Sequence, residues 1–251
     1  MSEILKEIYV TPGRSMDLDK YLSLMNEIKL RISIVNDFIV GKSTTGNLTA
    51  NAEFMCLQLR KILELIAMGS IVANKEDFEA IREEFRKCWN AKLILQDIEG
   101  LNPVFYPMPV KENVDLRDSL KSSIEDHTTE YLTREKFVKV YDKCGKFMHS
   151  YNPYGSQHDV NYYIKNIPDW IKLIKGLLNT HIIKLAGATN FYLIHMEEDG
   201  DNLAHGYDFE MISSKKCINN EKTDMTSKRL IIREFTDSNG ITRTKYFKAD
   251  E

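Results

Sequence analysis

The sequence predicts a mainly α fold, a helical bundle followed by a small antiparallel β unit of about four strands. Three observations carry that reading. Apolar residues recur at three- and four-residue spacing along most of the chain, the period of a helix with one buried face. After Gly187 the period gives way to short β-rich runs. Two of those runs flank Thr236-Asp237-Ser238-Asn239-Gly240, a strong hairpin signal. The division that follows is a helical bundle domain at 1–186 and a C-terminal β extension at 187–251.

The first stripe is Leu18, Tyr21, Leu22, Met25, Ile28, Ile32, Val35 and Ile39, with Asp17 placed to cap a helix that ends near Val40. The polar stretch Gly41 to Leu48 breaks the pattern. A second helix runs from about Thr49 to Ala73, its stripe Ala52, Met55, Cys56, Leu59, Ile62, Leu63, Ile66 and Ser70. It carries enough further apolar residues to be central in a bundle. A third is expected from about Lys75 to Ile98, through Phe78, Ile81, Phe85, Cys88, Trp89 and Leu95.

Three prolines in Asn102 to Pro109 forbid helix there and favour extended backbone. Val110 to Leu132 is polar and mixed, and is expected to be a long loop with at most a helical turn. Helix returns at Thr133, the N-cap, and runs to about His149. A last helix is expected from about Val160 to Ala186, kinked or divided at Pro168. The four strands are Phe191 to Met196, Tyr207 to Ile212, Leu230 to Phe235 and Ile241 to Phe247. Four strands alone have little core, so the sheet is expected to pack on the helices or on another chain.

The 251 residues are 43% hydrophobic and 28% charged, which excludes wholesale disorder. With 34 basic against 37 acidic residues, the net charge of −3 argues against a uniformly basic nucleic-acid binder but permits a local basic face. The four cysteines are scattered without a CxxC pair, so neither a disulfide framework nor a zinc site is expected. No apolar run approaches the roughly 18 residues a membrane helix needs. MSEILKEIYV does not read as a signal peptide, so a cytoplasmic location is expected, with no membrane partner. P-loop, GxGxxG, GxSxG and HExxH signatures are missing, and neither cofactor nor metal is expected.

The segment most able to carry chemistry is TREKFVKVYDKCGKFMHSYNPYG, residues 133–155. Phe137, Val140, Tyr141, Cys144, Phe147, Met148 and Tyr151 form its apolar face. Asp142, Gly145, Lys146 and His149 group on another, with Asp142 and Lys146 spaced as an ion pair. A glycine inside a helix costs about 1 kcal/mol relative to alanine. Its missing side chain lets another backbone, helix or ligand approach beside His149.

The run CGKFMHSYN, closing a helix within a helical bundle, resembles the RN-xxx-H-x-Y segment of HEPN domains (higher eukaryotes and prokaryotes nucleotide-binding). The resemblance implies a helical bundle, often dimeric, and in many members a metal-independent ribonuclease of bacterial toxin–antitoxin and antiviral defence systems. In such enzymes a histidine and an upstream arginine, contributed from paired subunits, act on the scissile phosphate and the 2′-hydroxyl. Here the histidine matches as His149 and the following aromatic as Tyr151. Where the family has arginine this chain has Cys144, and Gly145 stands at the neighbouring polar position. Lys143 and Lys146 are the nearby cations, and a lysine holds a phosphate as a point charge without the guanidinium's fork.

Glu53, Arg60 and Glu64 share one face of the second helix, at spacings of seven and four. Arg60 is therefore either the cation that the local motif lacks or half of an Arg60–Glu64 structural pair. His149 has two readings as well, a proton-transfer group or a helix C-terminal residue favoured by the dipole. The expected catalytic set is His149, Lys146 and Arg60; the expected substrate-binding set is Lys143, Tyr151 and Asn152. The expected partners are RNA and a second copy or another protein. The competing reading is a non-catalytic interaction module in which the altered motif survives as packing. Tyr151, Tyr154, Tyr162 and Tyr163 suit either base stacking or an interface. His195 and His205 fall on adjacent strands, where two histidines without a carboxylate make a poor metal site.

Overall fold

Asp17 caps the first helix as expected, its carboxylate accepting from the Lys20 amide at 3.2 Å. In the computed structural model, residues 16–75, 90–114, 121–127, 129–150, 154, 159–185, 190–197, 201–210, 230–236 and 242–248 are described. They form five helices and seven strands. Helix α1 is Leu18–Ile39 and α2 is Leu48–Ala73, capped by Asn47. Between them Gly41 and Gly46 adopt φ of 74° and 80°, a left-handed backbone that favours glycine. All eight residues of the second stripe are buried. Helix α2 touches each of the other four helices and is the centre of the bundle.

The third helix departs from expectation. Helix α3 is Ala91–Leu101, and Asn90 before it is extended at φ −85° and ψ 102°, accepting from the Lys92 amide. An unbroken helix from 75 to 98 is therefore wrong: Asn90 is a cap, because a short amide side chain competes well for the first free N–H groups. Phe78, Ile81, Phe85, Cys88 and Trp89 lie outside the described residues.

The stretch expected to be a loop after the prolines holds strands β1, Met108–Val114, and β2, Lys121–Asp126, paired antiparallel from Val110↔Asp126 to Val114↔Ser122. Their polar composition hides them, since partners on both sides impose the extended state. Helix α4 is Arg134–Phe147, capped by Thr133. Helix α5 is Val160–Leu178 and continues through Pro168 without dividing. It stops eight residues short of the expected end, and Thr180–Lys184 is strand β3. Thr180, Ile182 and Ile183 are β-branched, and pairing with the next strand decides the matter.

The four strands expected after residue 186 are present as β4, Asn190–His195, β5, His205–Glu210, β6, Leu230–Thr236, and β7, Thr242–Lys248. With the three earlier strands they make one antiparallel sheet in the order β5-β4-β3-β1-β2-β6-β7. Its outer strands β5 and β7 approach one another. A flat seven-stranded sheet would hold them about 30 Å apart, so this one curls. One face gives Ile183, Tyr192 and Ile194 to the helical core. The other gathers Val110, Ile182 and Leu193 into a smaller cluster. No helix among the described residues is long and apolar enough to cross a membrane.

Candidate functional site

Helix α4 turns the face read from its sequence onto α2: Phe137, Val140, Tyr141, Cys144 and Phe147 are buried, and Gly145 with them. The close approach foreseen at Gly145 is made by Arg60. A Cβ on Gly145 would stand 2.5 Å from Arg60 Nη1, so the guanidinium occupies the space a side chain would need. Arg60 Nε donates to Glu64 Oε1 at 3.2 Å and Nη2 donates to Tyr141 Oη at 2.8 Å. The guanidinium carbon stands 4.3 Å from the Tyr141 ring centroid, a cation–π contact. Tyr141 O–H in turn donates to Glu64 Oε1 at 3.3 Å, and burial pushes its phenol above the ordinary tyrosine range. Arg60 thus forms the structural pair and also faces the motif helix.

Cys144, at the family's arginine position, is fully buried together with Cys56 of α2. The Cys56 thiol beside it and burial push the Cys144 thiol far upward, which leaves it an inert packing group.

His149 lies just beyond Met148, the C-cap of α4, with its amide donating to the Lys146 carbonyl at 3.3 Å. The residue is exposed, and no side chain among the described residues hydrogen-bonds its ring. It lines a groove of about 830 Å³ shared with Thr45, Thr49, Glu53, Phe54 and Met148, among others. The wall across from it is the first three turns of α2 and the connection before them. Gly145 is one turn back from His149 on α4, and Arg60 is two turns on from Glu53 on α2, so the two helices run antiparallel past each other.

The remaining expected residues are dispersed. Lys146 is exposed in the last turn of α4, on the same side as His149. Lys143 donates to the Tyr162 hydroxyl and sits 4.4 Å from that ring, which holds it on α5 instead of at the groove. Asp142 pairs with Lys92 at 3.1 Å. Tyr151 and Asn152 lie outside the described residues. Of the tyrosines, Tyr163 is buried and stacked on Phe147 at 3.9 Å, while Tyr154 is almost wholly exposed. The proline connector covers the bundle: Phe105 is fully buried and the Tyr106 hydroxyl donates to the Leu132 carbonyl at 2.9 Å.

His195 and His205 do oppose each other, as register partners on β4 and β5. Each has its own carboxylate: His195 Nε2 is 2.9 Å from Glu112 Oε2, and His205 Nε2 is 2.8 Å from Asp201 Oδ1. Among the described residues no group of three ligating side chains is placed to hold a metal. Glu112 was illegible as a partner because strand β1 was read as loop. The groove wall at Thr45 and Thr49 was also missed; that stretch carries a helix-break signal and nothing that points to a site.

Comparison with known proteins gives no match: no family model, no curated protein and no solved structure resembles the chain.

Proposed function

We propose that the groove at the end of α4 is a phosphodiester site, and that the protein acts on RNA as a HEPN-like, metal-independent endoribonuclease. The observation that carries this reading is the position of His149: an exposed imidazole on a groove of about 830 Å³, one turn from a guanidinium seated on Gly145. Histidine titrates near neutrality and so transfers protons in either direction there. Arg60 supplies from α2 the forked cation that Cys144 no longer supplies from α4, with Lys146 as a second positive charge at the rim. The setting is a bacterial conflict system, toxin–antitoxin or antiviral, in the cytoplasm, and a second protomer extends the groove as the resemblance implies.

The test is incubation of labelled single-stranded RNA with the purified chain in EDTA. Cleavage by the wild type, slowed about 10²–10⁴-fold by His149→Ala, is the expected result. Persistent cleavage by His149→Ala would remove this assignment. A second reading rests on one observation: Glu64 and Tyr141 already engage Arg60 on two of its nitrogens. On that reading the motif is packing and the chain is an interaction module. Inertness of wild type and variant alike, toward single strands and hairpins, would favour it.

A further inference from the structure

Cleavage of RNA without a metal moves two protons at once, one off the ribose 2′-hydroxyl and one onto the departing 5′-oxygen. The attacking and departing oxygens stand on opposite sides of phosphorus, so one imidazole does not reach both in a single displacement. A second proton-transfer group is required, and the groove contains one. Among its described lining residues the titratable side chains are His149 and Glu53.

Glu53 also differs from the other glutamates of the bundle. Glu27 is held by Arg31, Glu64 by Arg60, Glu99 by Arg134 and Glu130 by Lys136, and Glu135 is hydrogen-bonded by the Thr133 side chain. Glu53 is exposed to the groove and has no ion pair or hydrogen bond among the described residues. It is the sixth residue of α2, beyond the first turn where the helix dipole alone rewards a carboxylate. If the groove receives phosphates, an anionic side chain in it weakens binding by like-charge repulsion, a cost that a part in the reaction would offset.

We infer that Glu53 is the second catalytic residue of this groove, the general base, with His149 the general acid; the inference rests on the ribonuclease reading above. The Glu53 carboxylate takes the 2′-hydroxyl proton as that oxygen bonds to phosphorus. The P–O5′ bond breaks, and the His149 imidazolium gives its proton to the leaving oxygen. The products are a 2′,3′-cyclic phosphate and a 5′-hydroxyl end, and exchange with water restores both side chains. Arg60, two turns along the same face of α2 and bonded to Glu64 and Tyr141, adds positive charge near the end of the groove without lining it.

The experiment compares wild type, Glu53→Gln and His149→Ala in EDTA under single-turnover conditions, across pH. Binding is measured with a fully 2′-O-methylated RNA, which cannot react. Glu53→Gln is expected to keep the wild-type melting temperature, lose 10²-fold or more in rate, and bind the inert RNA as tightly or tighter. Its acid limb in the pH–rate profile should vanish, while His149→Ala should lose the alkaline limb. A Glu53→Gln variant that cleaves at the wild-type rate with the acid limb intact overturns this inference and leaves the ribonuclease reading standing. A wild type that fails to cleave overturns both.

Discussion

Arg60 and Gly145 are one device built from two residues. Glycine in a helix interior gives up about 1 kcal/mol relative to alanine, and here it makes room for a guanidinium that also bonds Glu64 and Tyr141. Gly145→Ala should therefore change stability by no more than about 1 kcal/mol, because the helical gain offsets displaced, part-exposed contacts of similar size. Its Cβ would drive Arg60 off the Tyr141 ring, so on the ribonuclease reading proposed above a drop of about tenfold in cleavage is expected beside a nearly unchanged melting temperature. A variant with full activity would show that Arg60's seat has no bearing on the site. Arg60→Lys should fail in the same direction, since a lysine keeps the charge but not the fork that reaches Glu64 and Tyr141 together. The missing side chain at Gly145 leaves room for a backbone, helix or ligand beside His149, and the line Gly145–His149 is legible from helical spacing. Which residue makes the approach is not, because Arg60 lies on another helix and its alternative, pairing with Glu64, uses the same spacing.

Helix α1 and strand β3 are joined by a buried hydrogen-bond relay. His181 is fully buried, its Nδ1–H donating to the Leu178 carbonyl at 2.7 Å and its Nε2 accepting from the Tyr21 hydroxyl at 2.8 Å. Burial, with a further push from His195, brings the His181 imidazole down to about 4, despite the favourable Leu178 carbonyl. The folded state therefore holds it neutral, while the unfolded chain takes up a proton near pH 6.5. Stability is unaffected above that pH and is lost as pH falls from 6.5 to about 4, by on the order of 2–3 kcal/mol. Urea unfolding at pH 7.5 and pH 4.5 reads that difference, and His181→Gln should flatten it. Tyr21→Phe should cost about 1–3 kcal/mol at every pH by leaving Nε2 unsatisfied, while keeping the slope, since burial is the main cause of the shift. None of this relay is legible: Thr180 to Lys184 extend an apolar helical period without a visible break, and pairing with β4 on one side and β1 on the other makes them a strand. Strands β1 and β2 were hidden for the opposite reason, a run such as Lys111-Glu112-Asn113 having no intrinsic preference for a sheet. The helices with wide apolar stripes, α1, α2 and α4, were read to within about two residues, the usual uncertainty of a helix end.

At the scale of the molecule, the boundary near residue 186 separates two styles of sequence and not two packing units. Strands β3 and β4 lie on either side of it and pair along five residue positions, from Thr180↔His195 to Lys184↔Phe191. The helical core also continues across it: Tyr192, Ile194, Met196 and Ala204 are buried in the same cluster as Tyr21, Met25 and Ile28 of α1. Further ties run the same way, the Tyr192 hydroxyl accepting from the Met16 amide at 3.1 Å and the Asn26 side-chain Oδ1 accepting from the Ala204 amide at 2.8 Å. Gly206 of β5 has no room for a Cβ, which would meet Leu18 of α1 at 2.6 Å. A fragment ending at residue 186 would expose that face of α1 and leave β3 with β1 alone, without the five-position pairing to β4. Each large apolar side chain so uncovered forfeits about 1.5–3 kcal/mol, and four or five of them together match the margin by which a typical domain is stable. Fragment 1–186 is therefore expected to retain helical circular dichroism but lose cooperative thermal unfolding. Adding fragment 187–251 in trans should restore the transition. A sharp, reversible melt of 1–186 alone would show that the bundle stands without its sheet, and that the covered face of α1 contributes less than its burial implies.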